Sequence, residues 1–146
     1  MAAMSLEKPV APVVVPAVAS ASEPALDVVC LCAAWCGTCR EYEAIFDALR
    51  LANPGHRYRW IDIEDEADAI GDIDVETFPT LMLAHAGRLL FAGPVLPRLG
   101  DAQRLLAVQC EVASAGGTLA MATSGLPADQ FEAFAALARQ IELTAR

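Results

Sequence analysis

The most reactive side chains in this sequence are two cysteines three positions apart, Cys36 and Cys39. They lie between an apolar run of strand length, Leu26–Ala33, and a helical pattern, Arg40–Leu51. A cysteine just before a helix lies near unpaired N–H groups and the positive end of the helix dipole, which favour its thiolate. The Cys36 thiolate can then attack a disulfide, and Cys39, one turn further on, can resolve the mixed disulfide. This spacing predicts thiol–disulfide exchange, with Cys36 as the nucleophile and Cys39 as the resolving thiol.

Strands and helices alternate along the rest of the chain. The alternating and apolar runs predict strands, and the apolar stripes at helical spacing predict helices packed on a sheet. The further predicted strands are Tyr58–Ile63, Leu81–Ala84 and Leu89–Ala92, and the further predicted helices are Glu64–Ile73, Leu99–Val112 and Pro127–Leu143.

Composition divides the chain into three parts. Residues 1–24 are rich in Ala, Val and Pro, and they predict a flexible N-terminal extension. Residues 25–112 form the predicted domain, and residues 113–146 form a linker and a C-terminal helix. Prolines interrupt the apolar run Val10–Ala19, so it is interpreted as part of the extension rather than as a secretion signal. This interpretation places the protein in the cytoplasm; a working signal would place it in the periplasm.

The overall charge excludes some partners. A chain of 146 residues with a net charge of −9 lacks the basic face that nucleic acids and anionic membranes require. No apolar run approaches the roughly 20 residues of a membrane span. The five cysteines are an odd number, which argues against a full disulfide framework. These features predict an acidic protein, and we expect it to be a monomer.

Two motifs carry a resemblance to a known family. Trp35-Cys36-Gly37-Thr38-Cys39 and Phe78-Pro79-Thr80 resemble the redox motif and the cis-proline turn of thioredoxins. The resemblance runs from about Leu26 to Val112. It implies a thioredoxin-like α/β fold, a central mixed sheet flanked by helices, to which this chain adds a C-terminal helix. It further implies that Pro79 is cis and that Trp35, Thr77, Pro79 and Gly93 shape a groove for the substrate backbone.

The chain departs from this family at positions that tune the cysteines. Thr38 replaces the proline between the two cysteines, and its N–H is expected to hydrogen-bond the Cys36 sulfur. Cys30 occupies the position of the buried acid, and Trp60 that of the neighbouring lysine. Cys32 occupies the position of a strand tryptophan. Uncharged Cys30 and the N–H of Thr38 both favour the Cys36 thiolate, which predicts a more oxidising pair than in thioredoxin.

The resemblance implies a protein disulfide oxidoreductase that reduces disulfide-containing proteins. Such an enzyme cycles between dithiol and disulfide at Cys36 and Cys39 and needs no bound cofactor. Its electrons come from a separate donor, such as a reductase.

Two alternatives remain open from the sequence. Cys30, Cys32, Cys36 and Cys39 place four thiols within ten residues, a set that could hold zinc or an iron–sulfur cluster. A non-catalytic binding module built on the same fold is the second alternative. In the favoured interpretation, Cys30, Cys32 and Cys110 are small buried hydrophobic residues.

Overall fold

A computed structural model describes residues 24–144 of the chain. Every helix and strand predicted from Leu26 onward is present, and the bounds differ from the prediction by at most three residues. The strands are β1 (Asp27–Cys32), β2 (Arg57–Asp62), β3 (Thr80–His85) and β4 (Arg88–Pro94), and the helices are α1 (Gly37–Ala52), α2 (Ala67–Ile70), α3 (Leu99–Ser114) and α4 (Ala128–Thr144).

The four strands form one mixed sheet in the order β2-β1-β3-β4. Strand β1 pairs in parallel with β2 and antiparallel with β3, and β3 pairs antiparallel with β4. The crossover from β1 to the parallel strand β2 runs through α1, as a parallel connection requires. All six residues of β1 are buried, which explains why this strand is apolar without alternation.

One face of the sheet is covered by α1 and α3. Cys39, Tyr42, Phe46 and Leu49 form the buried stripe of α1, as the helical spacing predicts. Helix α3 contributes Ala102, Leu106 and Ala113. Val108 of the same helix is 54% exposed and does not join this core.

The opposite face is covered by α4, which confirms an extra C-terminal helix on the thioredoxin-like fold. Its buried residues are Phe134, Leu137, Ala138 and Ile141. They belong to one apolar cluster with Val29 and Leu31 of β1, Met82 of β3 and Leu89 of β4. The sheet is therefore a middle layer with helices on both sides.

Two ion pairs made by the half-exposed Arg57 side chain connect α4 to the start of the sheet. The Arg57 guanidinium donates to both carboxylate oxygens of Asp27, at 2.7 and 2.8 Å, and to Glu142 of α4 at 3.1 Å. Asp27 is only 2% exposed, so this bidentate partner offsets the cost of burying its charge. Sequence analysis did not identify this triad.

Residues 1–23 of the predicted N-terminal extension, including the apolar run Val10–Ala19, lie outside the described residues. Within residues 24–144, no helix is long and apolar enough to cross a bilayer.

Phe134→Ala should lower the free energy of unfolding by about 3–5 kcal/mol, because it removes a buried ring between α4 and the sheet. Denaturant unfolding followed by circular dichroism measures the change. Glu132→Ala on the exposed side of the same helix is the control, with an expected change within about 0.5 kcal/mol. Equal midpoints for Phe134→Ala and the wild type would contradict docking of α4.

Candidate active site

The candidate nucleophile, Cys36, lies at the N-terminus of α1. It is the N-cap residue, it is half-buried, and its sulfur is a free thiol. The preceding turn is closed by a hydrogen bond from the Cys36 N–H to the Ala33 carbonyl at 3.0 Å. The Arg40 side chain also donates to the Ala34 carbonyl at 3.0 Å. The turn therefore presents the Cys36 thiol at the end of a helix with its first N–H groups nearby.

A carboxylate at the end of β2 holds the same turn from the other side. Asp62 accepts hydrogen bonds from the N–H groups of Ala34 at 2.9 Å, Glu64 at 2.9 Å and Asp65 at 3.1 Å. The N–H groups of Asp65 and then Glu64 contribute most to holding the pKa of the Asp62 carboxyl below its ordinary value. Asp62 thus connects the loop after β2 to the residues just before Cys36, a role that sequence analysis missed.

An exposed tryptophan connects the cysteine turn to the proline turn. Trp35 is 61% exposed, and its ring meets Phe78 edge-on with centroids 5.6 Å apart. The Trp35 indole N–H also donates to Glu64 at 3.0 Å. The Phe78–Pro79 peptide bond is cis, as the resemblance implies. The structure therefore brings the two sequence motifs together.

The other expected groove residues lie beside this proline turn. Gly93 pairs with Leu81 at the end of the β3–β4 ladder, and the Pro79 carbonyl accepts from the Val95 N–H at 3.1 Å. Thr77 and Gly93 together line a cavity of about 370 Å³ that extends to α4. The Thr77 carbonyl accepts a hydrogen bond from the Thr80 hydroxyl at 2.7 Å.

The disulfide in this structure joins Cys39 to Cys32, not to Cys36. Cys39 belongs to the buried stripe of α1, so its side chain faces the sheet rather than the exposed turn. Cys32 ends β1 on the face that α1 covers, and the two Cα atoms are 5.7 Å apart, within the usual range for a disulfide. Cys32 is buried, as expected, but it is bonded to Cys39 and is not only a small apolar residue of the core. The redox cycle expected at Cys36 and Cys39 stays a prediction.

The sequence contained a signal for this pairing. Cys39, Tyr42, Phe46 and Leu49 are spaced by three, four and three residues, which places all four on one helix face. Strand alternation places Cys32 on the same face as Cys30. Together these two periodicities point Cys39 toward β1.

Comparison with known proteins agrees with this geometry. The family model named Thioredoxin matches residues 17–93. The chain belongs to the thioredoxin family. None of the curated proteins compared with the chain matches it.

Several solved thioredoxins share the fold of this family member. The thioredoxin of Fasciola hepatica is 19% identical, with a TM-score of 0.54, over 65% of this chain and 90% of that one. The thioredoxin of Trypanosoma brucei brucei is 23% identical, with a TM-score of 0.51, over 65% and 83%. Thioredoxin NaTrxh of Nicotiana alata is 21% identical, with a TM-score of 0.54, over 64% and 84%.

The tuning positions of this thioredoxin-family chain are neighbours in the sheet. Cys30 of β1 lies opposite Trp60 of β2, and both contribute to the core under α1. Burial raises the pKa of the Cys30 thiol well above its ordinary value, so this position carries no charge. Trp60 packs against Phe46 with ring centroids 5.8 Å apart. An apolar contact thus occupies the positions of the family's acid and lysine.

The expected hydrogen bond at Thr38 is absent from this structure. The Cys36 side chain makes no capping hydrogen bond to α1, so the Thr38 N–H does not donate to its sulfur. Gly37, the first residue of α1, is exposed, and a Cβ added there would meet no atom within 4 Å. Packing therefore does not require glycine at position 37, and the effect of Gly37 and Thr38 on the cysteines stays a prediction.

The four-cysteine metal site is not formed by the described residues. Between residues 24 and 144, no three His, Cys, Asp or Glu side chains are grouped to hold a metal ion. Cys39 is bonded to Cys32, and the Cys30 sulfur lies 3.8 Å from the Cys32 sulfur inside the core. These sulfurs are arranged for a disulfide within the core.

Asp62→Ala should loosen the turn before Cys36, because it removes the acceptor of three backbone N–H groups. We expect several-fold faster hydrogen exchange at the Ala34 amide, measured by NMR, with the core strands unchanged. Asp65→Asn, which removes a neighbouring exposed charge but keeps these acceptors, is the control.

The same turn should respond to acid. Because the folded pKa of Asp62 is lowered, its stabilising contribution is complete above the ordinary aspartate pKa of about 3.9 and is lost as the pH falls through the folded pKa.

For the Asp62→Ala variant, an unchanged rate of hydrogen exchange at the Ala34 amide would show that the carboxylate does not hold the turn.

Proposed function

We propose that this protein is a thiol–disulfide oxidoreductase that reduces protein disulfides, with Cys36 as the nucleophile and Cys39 as the resolving thiol. Membership of the thioredoxin family and the close pair of cysteines support the general activity. The observation that carries the assignment of Cys36 is its position. It is a free, half-buried thiol at the N-terminus of α1, next to an exposed tryptophan and a cis-proline turn.

In the proposed reaction, the Cys36 thiolate attacks one sulfur of a substrate disulfide. A mixed disulfide forms between Cys36 and the substrate, and the other substrate sulfur leaves as a thiolate. Cys39 then attacks the Cys36 sulfur, which releases the second substrate thiolate and leaves a Cys36–Cys39 disulfide. Two electrons have passed from the protein to the substrate, and the leaving thiolates take up protons from the protein thiols or from water.

The surroundings of Cys36 suit an extended peptide substrate. Trp35, the residue before Cys36, has an exposed ring that contacts Phe78, the residue before the cis proline Pro79. Thr77 and Gly93 line a cavity beside this proline turn. In this proposal the Thr77 backbone pairs with the substrate strand, sharing its carbonyl with the Thr80 hydroxyl. A monomer in the cytoplasm that receives electrons from a separate reductase completes the proposal.

Reduction of insulin by dithiothreitol, followed as turbidity, tests the activity. We expect the wild type to accelerate the reaction and Cys36→Ser to fall to the uncatalysed rate, because the attacking sulfur is gone. Cys39→Ser should accumulate a mixed disulfide with the substrate, visible on a non-reducing gel. Cys110→Ser on α3 is the matched cysteine control, with the wild-type rate expected.

Three results would count against the assignment. Normal turnover by Cys39→Ser would exclude Cys39 as the resolving thiol. Accumulation of a mixed disulfide with the substrate by Cys36→Ser would reverse the roles of the two cysteines. A wild type that binds insulin without reducing it would favour the binding module.

A further inference from the structure

Three sulfurs surround the N-terminus of α1, and the oxidised pair is the least accessible one. Cys32 is 0% exposed and Cys39 is 1% exposed, whereas Cys36 is half-buried and is a free thiol. A substrate disulfide cannot reach Cys32 directly, so its oxidation has to pass through another cysteine. Cys39 is the cysteine with which both Cys36 and Cys32 can form a disulfide.

We propose that Cys32 is a second resolving cysteine, which takes over the disulfide from the Cys36–Cys39 pair and returns Cys36 to its thiol form. The inference rests on the proposed function, because the Cys36–Cys39 disulfide is the product of substrate reduction. The oxidised protein then keeps its disulfide in the core and a reactive thiol at the surface.

The added step is an internal disulfide exchange. The Cys32 sulfur, as a thiolate, attacks the Cys39 sulfur. The bond between Cys32 and Cys39 forms, the bond between Cys39 and Cys36 breaks, and Cys36 leaves as the thiolate. The proton that Cys32 loses is balanced by the proton that Cys36 gains. No electron enters or leaves, so the step needs no further oxidant.

The geometry around Cys39 supports this exchange. Its side chain lies on the sheet-facing stripe of α1, and its Cα atom is 5.7 Å from that of Cys32 at the end of β1. The Ala33 N–H donates to the Cys39 sulfur at 3.4 Å, which holds this sulfur at the end of the strand. Cys36 lies one helical turn before Cys39 in the sequence. Cys39 is thus placed between a surface cysteine and a core cysteine.

The exchange ends at Cys32 and does not continue to Cys30. The Cys30 sulfur is 3.8 Å from the Cys32 sulfur, on the same face of β1. Cys30 is nevertheless a free thiol in this structure, whereas Cys32 is bonded to Cys39. Cys30 therefore offers a matched control, because it is a neighbouring cysteine on the same strand.

The internal exchange determines which disulfide-bonded form of the protein a reductase encounters. A reductase attacks an exposed sulfur of a disulfide, and the buried Cys32–Cys39 bond offers none. Oxidised protein is reduced only after the exchange runs back to the Cys36–Cys39 form. Meanwhile its free Cys36 thiol can attack another disulfide.

Disulfide mapping after oxidation tests the proposal. The full chain is reduced, desalted and oxidised in one arm by excess insulin and in a second arm by diamide. Free thiols are blocked first in the native protein and then in denaturant, with two alkylating reagents of different mass. Chymotrypsin cleaves after Trp35, so it separates Cys32 from the peptide that contains Cys36 and Cys39.

We expect the first reagent to alkylate Cys36 in the native protein, and we expect a disulfide cross-link between the Cys32 and Cys39 peptides. A closed loop between Cys36 and Cys39, with Cys32 alkylated only in denaturant, would overturn the proposal. This result needs only the wild type, so it does not depend on the folding of a variant.

Two variants test whether Cys32, rather than Cys30, takes over the disulfide. In Cys32→Ala, oxidation should leave the Cys36–Cys39 disulfide, and native alkylation of Cys36 should be lost. In Cys30→Ala, Cys36 should still be alkylated and the Cys32–Cys39 cross-link should still form. Loss of that cross-link in Cys30→Ala would contradict the inference that the exchange ends at Cys32.

The two oxidation arms separate this inference from the proposed function. If insulin oxidises the protein but only Cys36–Cys39 forms, the function stands and the second resolving cysteine is overturned. If insulin leaves the protein reduced while diamide forms Cys32–Cys39, the proposed function fails, and with it the role of Cys32 in turnover.

Discussion

Burial of strand β1 on both faces is the constraint on which the rest of the molecule depends. Each of its six residues is buried, so both faces of the strand need a cover of helices. Strand alternation then sends Val28, Cys30 and Cys32 toward α1 and sends Val29 and Leu31 toward α4. The position of the Cys32 sulfur beneath α1 follows directly from this alternation.

Local patterns in the sequence predicted most of the fold. The stripe Tyr42, Phe46 and Leu49 predicted the buried face of α1, and the apolar run of β1 predicted a strand covered on both sides. The prediction that Pro79 is cis came from the family resemblance rather than from any local pattern, since proline in a turn is more often trans.

Long-range pairings were the part that the sequence did not provide. Asp27 and Arg57 are 30 residues apart, and Arg57 and Glu142 are 85 apart, so no local periodicity connects them. Cys32 and Cys39 are only seven residues apart in the sequence. The still shorter spacing of Cys36 and Cys39 led to Cys36 being predicted as the partner of Cys39. Asp62 was also missed, because its role depends on three backbone N–H groups rather than on a motif.

The fold gives the two tryptophans of the chain different optical environments. Trp35 is 61% exposed and hydrogen-bonds Glu64 beside the cysteine turn, whereas Trp60 is partly buried against Phe46. The emission of Trp35 is therefore expected at longer wavelength and should be accessible to aqueous quenchers, while that of Trp60 is shifted to shorter wavelength. A peptide that covers the exposed turn would change only the first signal, so one fluorescence spectrum can report surface binding and core integrity separately.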